Sequence, residues 1–233
     1  MAQPPDTNTA FLREVDEELS YDRVIGFLRG NARALIVGLV VVFGAFGGWL
    51  LWQNHTATVA GEQGEKFAAA FDAIKARDAK GANEKLADLA ANGNPGYRAA
   101  AKILSADIAL EQGDTKTGIA KLKALADESG VDNNWRNVAL IKATGAEYDA
   151  LPPSTIIERM KPLAIPGKPW FGTAGEMMAM AYFKENKPGL AGRLFASIAA
   201  DKSVPDSIAA RARQMATSLG IDTTQNTIKE NGQ

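Results

Sequence analysis

The sequence predicts an all-α chain, with one membrane-crossing helix near the N-terminus followed by an α-solenoid of helical hairpins. Three observations lead there. No charged side chain occurs between Arg33 and Glu62. The rest of the chain is rich in Ala, which loses no side-chain entropy on becoming helical, and only 7% of residues are aromatic. Beyond residue 60, a pair of large apolar residues returns at intervals of 36, 38 and 35 residues. No stretch of any length shows the period-two alternation of a half-buried strand.

The first element is a leader, residues 1–33, expected on the cytoplasmic side. It carries six acids, Asp6, Glu14, Asp16, Glu17, Glu18 and Asp22, with Arg23, Arg29 and Arg33 close to its end. The second is the span, residues 34–53. Ala34 to Trp52 gives 19 residues without a charge, close to the roughly 20 that a helix needs to cross the hydrocarbon core. A helix buried in a soluble core would show a polar face at period 3.6, and this run has none. Trp49 and Trp52 stand at its far end, where indoles favour the headgroup region. A cleaved signal peptide competes, with "TVA" at 58–60 as its small-residue site. Signal sequences begin with a short basic segment, however, whereas this leader is long and acidic. The reading is therefore an uncleaved anchor. Its bases precede the span and the first base after it is Lys66, so the N-terminus stays inside and everything beyond residue 53 is exported. Gly44 and Gly48 form a GxxxG spacing that lets two membrane helices approach closely, and they are the candidate helix contact.

The third element, residues 54–219, is the repeat domain. Its Ala-rich segments are broken by turn clusters: "ANGNPG" at 91–96, "QGDT" at 112–115, "SGVDNN" at 129–134, "IPGKP" at 165–169 and "ENKPG" at 185–189. Helices joined by turns this short pack antiparallel. The recurring apolar pair is Leu86 with Leu89, Leu122 with Leu125, Met160 with Leu163, and Phe195 with Ile198. Four residues before each pair stand Ala82, Gly118, Ile156 and Ala191; sixteen before stand Ala70, Ala106, Thr144 and Ala179. Small side chains at fixed offsets let two helices close on each other, while the larger pair fills the gap to the next hairpin. That is the logic of the tetratricopeptide repeat, whose period is about 34. Ala179, Tyr182, Ala191, Phe195 and Pro205 resemble its consensus best. The spacings drift and the consensus Trp is missing, so the repeats are degenerate. Pro152, Pro153 and Pro162 require the second helix of the third repeat to be short or bent. Residues 220–233 form a polar tail expected to be disordered.

Composition excludes several chemistries. A formal net charge of −1 gives no field to draw the chain to nucleic acid. The absence of Cys removes disulfides, thiolate metal sites and Cys nucleophiles. His55 is the one His, so neither a His metal site nor a His base is expected, and no cofactor is implied. "PGKPW" is not a phosphate-binding loop, because Pro162 stands where the first Gly is required and Pro169 replaces Ser or Thr. Asp72, Asp107, Glu147 and Glu176 are candidates to line a groove, but their spacing gives no catalytic constellation. The expected role is a platform for proteins, since stacked hairpins present an extended concave face. Aromatic residues on first helices are the candidate partner-binding surface, namely Trp135, Tyr148, Trp170 and Phe171. Tyr182 is expected in the core, as are most of Met177, Met178 and Met180.

The layout resembles a bacterial family. "EEL" at 17–19, then "DRVIGFLRGNARALIVG" at 22–38 leading into one span, and degenerate tetratricopeptide-like repeats beyond it are similar to the ancillary subunit of the Sec translocon. The resemblance covers nearly the whole chain as architecture and order, and no catalytic motif comes with it. It implies a single-pass inner-membrane protein with a periplasmic repeat domain. The implied partners are the Sec translocon, a membrane-anchored periplasmic chaperone of the prolyl-isomerase type, and exported client proteins. The leader here is longer and the repeats poorer than the family pattern. A scaffold for cell-envelope assembly or division, independent of the translocon, is the alternative that the residues leave open.

Overall fold

The computed structural model describes residues 32–222, apart from the side chains of residues 32–37, 39 and 40. The expected leader, except residues 32 and 33, and the tail from residue 223 onward lie outside the described residues. Among the described residues there are nine α-helices and no strand. They are α1 (Ala32–Lys75), α2 (Ala79–Asn92), α3 (Pro95–Glu111), α4 (Thr115–Ala126), α5 (Asn133–Ala146), α6 (Pro153–Met160), α7 (Phe171–Lys184), α8 (Pro188–Ala200) and α9 (Asp206–Ser218). The chain divides into two compact units after Gly61.

The first unit holds the start of α1, which runs unbroken through residue 53, where the sequence places the end of the span. Its apolar side chains stand open on all sides: Phe43 and Trp52 are each 65% exposed and Leu51 is 74% exposed. Among the described residues, no helix is long and apolar enough to cross a membrane. The described apolar side chains run continuously only from Val41 to Trp52, about 18 Å of helix. Six apolar positions of the expected span, Ala34, Leu35, Ile36, Val37, Leu39 and Val40, lie outside the described side chains.

In the second unit, residues 62–222, four helices start at named caps, three of them inside the turn clusters. Asp78, Asn94, Asp114 and Asp132 each accept a hydrogen bond from a backbone N–H in the first turn of the following helix. Such caps satisfy donors that the helix itself leaves open. Pro95, Pro153 and Pro188 occupy first-turn positions where no N–H is needed. Three hairpins share one tight turn, in which Arg77, Gly113 and Asn186 adopt positive φ. In each, the next residue's N–H donates back to a carbonyl five residues earlier, closing the first helix.

The positions read from the repeat all point inward. Ala70, Ala106, Thr144 and Ala179 are fully buried, as are Ala82, Ile156 and Ala191. Thr144 satisfies its hydroxyl by donating to the Leu140 carbonyl at 2.8 Å. Gly118 shows why small residues are required. A Cβ placed there would lie 2.6 Å from Leu110 Cδ2 and 3.0 Å from the carbonyl oxygen of Ala106. The anchors Leu86, Leu89, Leu122, Leu125, Met160, Phe195 and Ile198 are all buried. Leu163 is half-buried, because α6 ends at Met160 and the anchor falls in the turn beyond it. Tyr182 packs against the core, as expected.

Two layers result. From α2 onward each helix packs on its successor, with α6 resting chiefly on α7 and only lightly on α5. The odd-numbered helices also touch one another, α3 with α5, α5 with α7 and α7 with α9. They form the layer of first helices in a stack of hairpins. The eight-residue α6 is the short helix that the proline cluster requires.

Candidate functional site

Opposite charges tie the layer of first helices together at one repeat spacing. Lys142 on α5 pairs with Asp107 on α3 at 3.0 Å. Lys184 on α7 pairs with Asp149 just beyond α5 at 2.9 Å. Arg211 on α9 holds Glu176 on α7 through two hydrogen bonds of 2.7 and 2.6 Å. In all three pairs the base follows the acid by 35 residues, so equivalent positions of neighbouring repeats face each other. The signal in the sequence is a cation 35 residues downstream of Asp107, Asp149 and Glu176. Of the remaining groove candidates, Asp72 pairs with Lys75 on its own helix. Glu147, at the end of α5, accepts from Lys123 of α4 and Arg159 of α6. Burial alone would raise the Glu147 carboxyl, but these two cationic partners outweigh it and hold it below its ordinary value.

Between α7, α8, α9 and the turn after α5 lies a cleft of about 370 Å³, lined by Tyr148, Glu176, Met177, Met180, Phe195, Arg211 and Met215. Phe195 on α8 is 1% exposed and closes it from the second layer. Met177 and Met180 come from one face of α7, since residues three apart neighbour each other on a helix. Met215 comes from α9, and Tyr148 from the turn after α5. The Tyr148 hydroxyl donates to the Met177 carbonyl at 3.2 Å, and Lys184 Nζ stands 4.4 Å from the ring centroid. Burial, and next the charge of Asp149, push the phenol's pKa upward, so it remains a neutral donor. The ring is thereby fixed in place before anything docks, which lowers the ordering cost of an occupant. The two charged residues of the lining, Glu176 and Arg211, neutralise each other.

Of the four aromatic candidates, the structure brings only Tyr148 to this cleft. Trp135 lies half-buried on α5, against the core around Ala99, Ile103 and Leu122. Trp170 is half-buried at the residue preceding α7. Phe171 is a correction: it is 0% exposed and forms core with Ala179, Ala191 and Phe195, so it presents no surface to a partner. Its place in the first turn of α7 puts it on the same buried stripe as Ala174 and Ala179. Met177 and Met180, read from sequence as mostly core, line the cleft instead, and Met180 is 36% exposed. Sequence reasoning missed Met215 and Arg211, because it did not carry the repeat on into α9. In the first unit, Gly44 and Gly48 are exposed, with no atom near the place of a side chain.

Among the described residues, no group of acidic and His side chains is arranged to hold a metal ion. The family model described as a tetratricopeptide repeat-like domain matches residues 26–149, more than half of the chain. No curated protein and no solved structure matches the chain.

Proposed function

The chain belongs to the tetratricopeptide repeat-like domain family, and on that premise we propose that it is a membrane-anchored protein-interaction scaffold rather than an enzyme. The observation that carries the reading is the cleft of Tyr148, Met177, Met180 and Met215. Thioether side chains adapt to varied apolar surfaces, and the rigid tyrosine adds contact area at low entropy cost. The two charged residues of the lining are already paired, so an occupant meets no unpaired charge there. The fitting occupant is an extended, uncharged, apolar polypeptide segment, of the kind a newly exported protein exposes before folding.

The anchor and its orientation rest on the uncharged run 34–61 and the arginines before it. The resemblance of residues 17–38 to the ancillary Sec subunit supports placement in a bacterial inner membrane, with the repeat domain in the periplasm. It also supports association with the translocon and a membrane-anchored chaperone. Cysteine introduced at position 8 should then resist an impermeant thiol reagent in spheroplasts, while cysteine at position 230 reacts. Crosslinking followed by purification in mild detergent should recover translocon components with the full chain. Recovery of envelope-assembly proteins without any Sec component would overturn the translocon partner and leave a scaffold of cell-envelope assembly.

A further inference from the structure

Sulfur is distributed unevenly in this protein. There is no Cys, and there are six Met. Met160 is 0% exposed. Met177, Met180 and Met215 line one cleft, and Met180 is the most open of the described thioethers. Met177 and Met178 both pack against the core around Ile156 and Met160, and Met178 does not line the cleft. Among the described residues, the cleft proposed to hold an apolar occupant is thus also where a soluble oxidant meets sulfur. No thiol competes for that oxidant.

We propose that Met180, backed by Met177 and Met215, is an oxidation site through which a hydroperoxide releases the occupant of the cleft. The step balances without a further reactant. The O–O bond of hydrogen peroxide breaks, one oxygen bonds to the thioether sulfur, and the other leaves as water. Sulfur loses the two electrons that the peroxide gains. The product, methionine sulfoxide, is polar and accepts hydrogen bonds. An apolar side chain docked on it strips water from the sulfoxide and offers no donor in return, while Arg211 is held on Glu176 through two of its N–H groups and the Tyr148 hydroxyl already donates to the Met177 carbonyl. Burying an unsatisfied acceptor opposes docking. Sulfoxides are reducible, so the block is reversible. The inference rests on the docking reading above.

The experiment uses the full chain in mild detergent, with a fluorescein-labelled peptide of alternating Leu and Ser as the probe. Peroxide is added until half of Met180 carries oxygen, read by peptide mass mapping. Met180 is expected to gain oxygen ahead of Met160 and Met178. The Met180-oxidised fraction should bind the probe about tenfold more weakly. Met180→Leu keeps the apolar volume without an oxidisable sulfur. Each form is compared with itself before and after the same dose: the affinity of the variant, whatever its starting value, should not show the tenfold fall of the parent. Oxygen reaching Met160 or Met178 as fast as Met180 overturns the proposal, as does undiminished affinity once Met180 is oxidised. A reduced chain that ignores the probe sinks the docking reading, and the regulation with it.

Discussion

Phe195→Ala tests the packing register and the floor of the cleft together. The side chain is 1% exposed and packs among Phe171, Ala179, Ala191, Ile198, Ala212 and Ala216. A buried aromatic removes about 150–250 Å² from water, which at about 25 cal/mol/Å² is roughly 4–6 kcal/mol of transfer free energy. The alanine retains part of this, and Phe-to-Ala changes in cores cost about 3–5 kcal/mol. One wall of the vacated space is the open cleft, where Met177 and Met215 are free to lean inward. That relaxation puts the expected loss near the lower end, about 3 kcal/mol. For a domain of this size each kcal/mol lowers Tm by about 2–4 °C, so a fall of roughly 6–12 °C is expected. Far-UV circular dichroism during heating reads it. Hydrogen exchange should show protection lost first in α8 and α9, because each hairpin in a stack depends on its neighbours. Phe195→Leu, which keeps most of the volume, should cost under about 1.5 kcal/mol. If the alanine variant melts within about 2 °C of the parent, Phe195 is not the anchor described here and the register fails.

Gly118→Val should destabilise by about 1–3 kcal/mol, because its side chain is forced against Leu110 and the backbone oxygen of Ala106; urea unfolding measures this, and an unchanged midpoint would refute close approach of α3 and α4. Glu147→Gln should melt lower than the parent at pH 7, with the gap closing in acid. The sign follows from the lowered folded-state pKa: the stabilisation is present above the ordinary value of 4.5 and is lost as pH falls through the folded value. A gap that persists at pH 2–3 would assign the loss to packing instead. A double-mutant cycle with Glu176→Gln and Arg211→Gln should give a coupling of about 0.5–1 kcal/mol, bidentate geometry offsetting the exposure of Arg211. Salt should reduce that coupling, and a coupling of zero at low salt would remove this pair from the ties between α7 and α9.

Turn chemistry and close approach were legible in the sequence because each depends on a few residues at short range. Asn94, Asp114 and Asp132 cap helices inside the clusters that mark turns, and the small positions repeat in step with the anchors. Phe171 shows where such reading stopped. Beside Trp170 in a Pro- and Gly-rich stretch, nothing local says which ring turns inward. Stepping back eight residues from the small position Ala179 lands on Phe171 and gives the answer. The cleft was less legible for a physical reason. Its lining comes from three helices and a turn spread over residues 148–215, and Met is chemically suited both to cores and to open apolar surfaces. Only the packing of α9 against α8 and α7 decides which Met remain uncovered.

The residues that show family membership and the residues that form the cleft scarcely overlap. The family match ends at 149, and of the seven lining residues only Tyr148 precedes that point. The match therefore accounts for the stacking of hairpins and says little about what they hold. The cleft itself lies where the poorest repeat meets the best. The short α6, crowded by prolines, leans on α7 rather than on α5, so the third hairpin is splayed. Tyr148 fills the turn between its two helices. The next hairpin keeps Ala179, Ala191 and Phe195 at their consensus places and supplies a firm back wall. Departure from the repeat thus opens the space and adherence to it holds the wall, as expected when a general scaffold carries a particular site. On the proposed docking reading, partner choice is accordingly to be sought from Tyr148 onward, in the part of the chain where the repeat pattern both fails most and holds best.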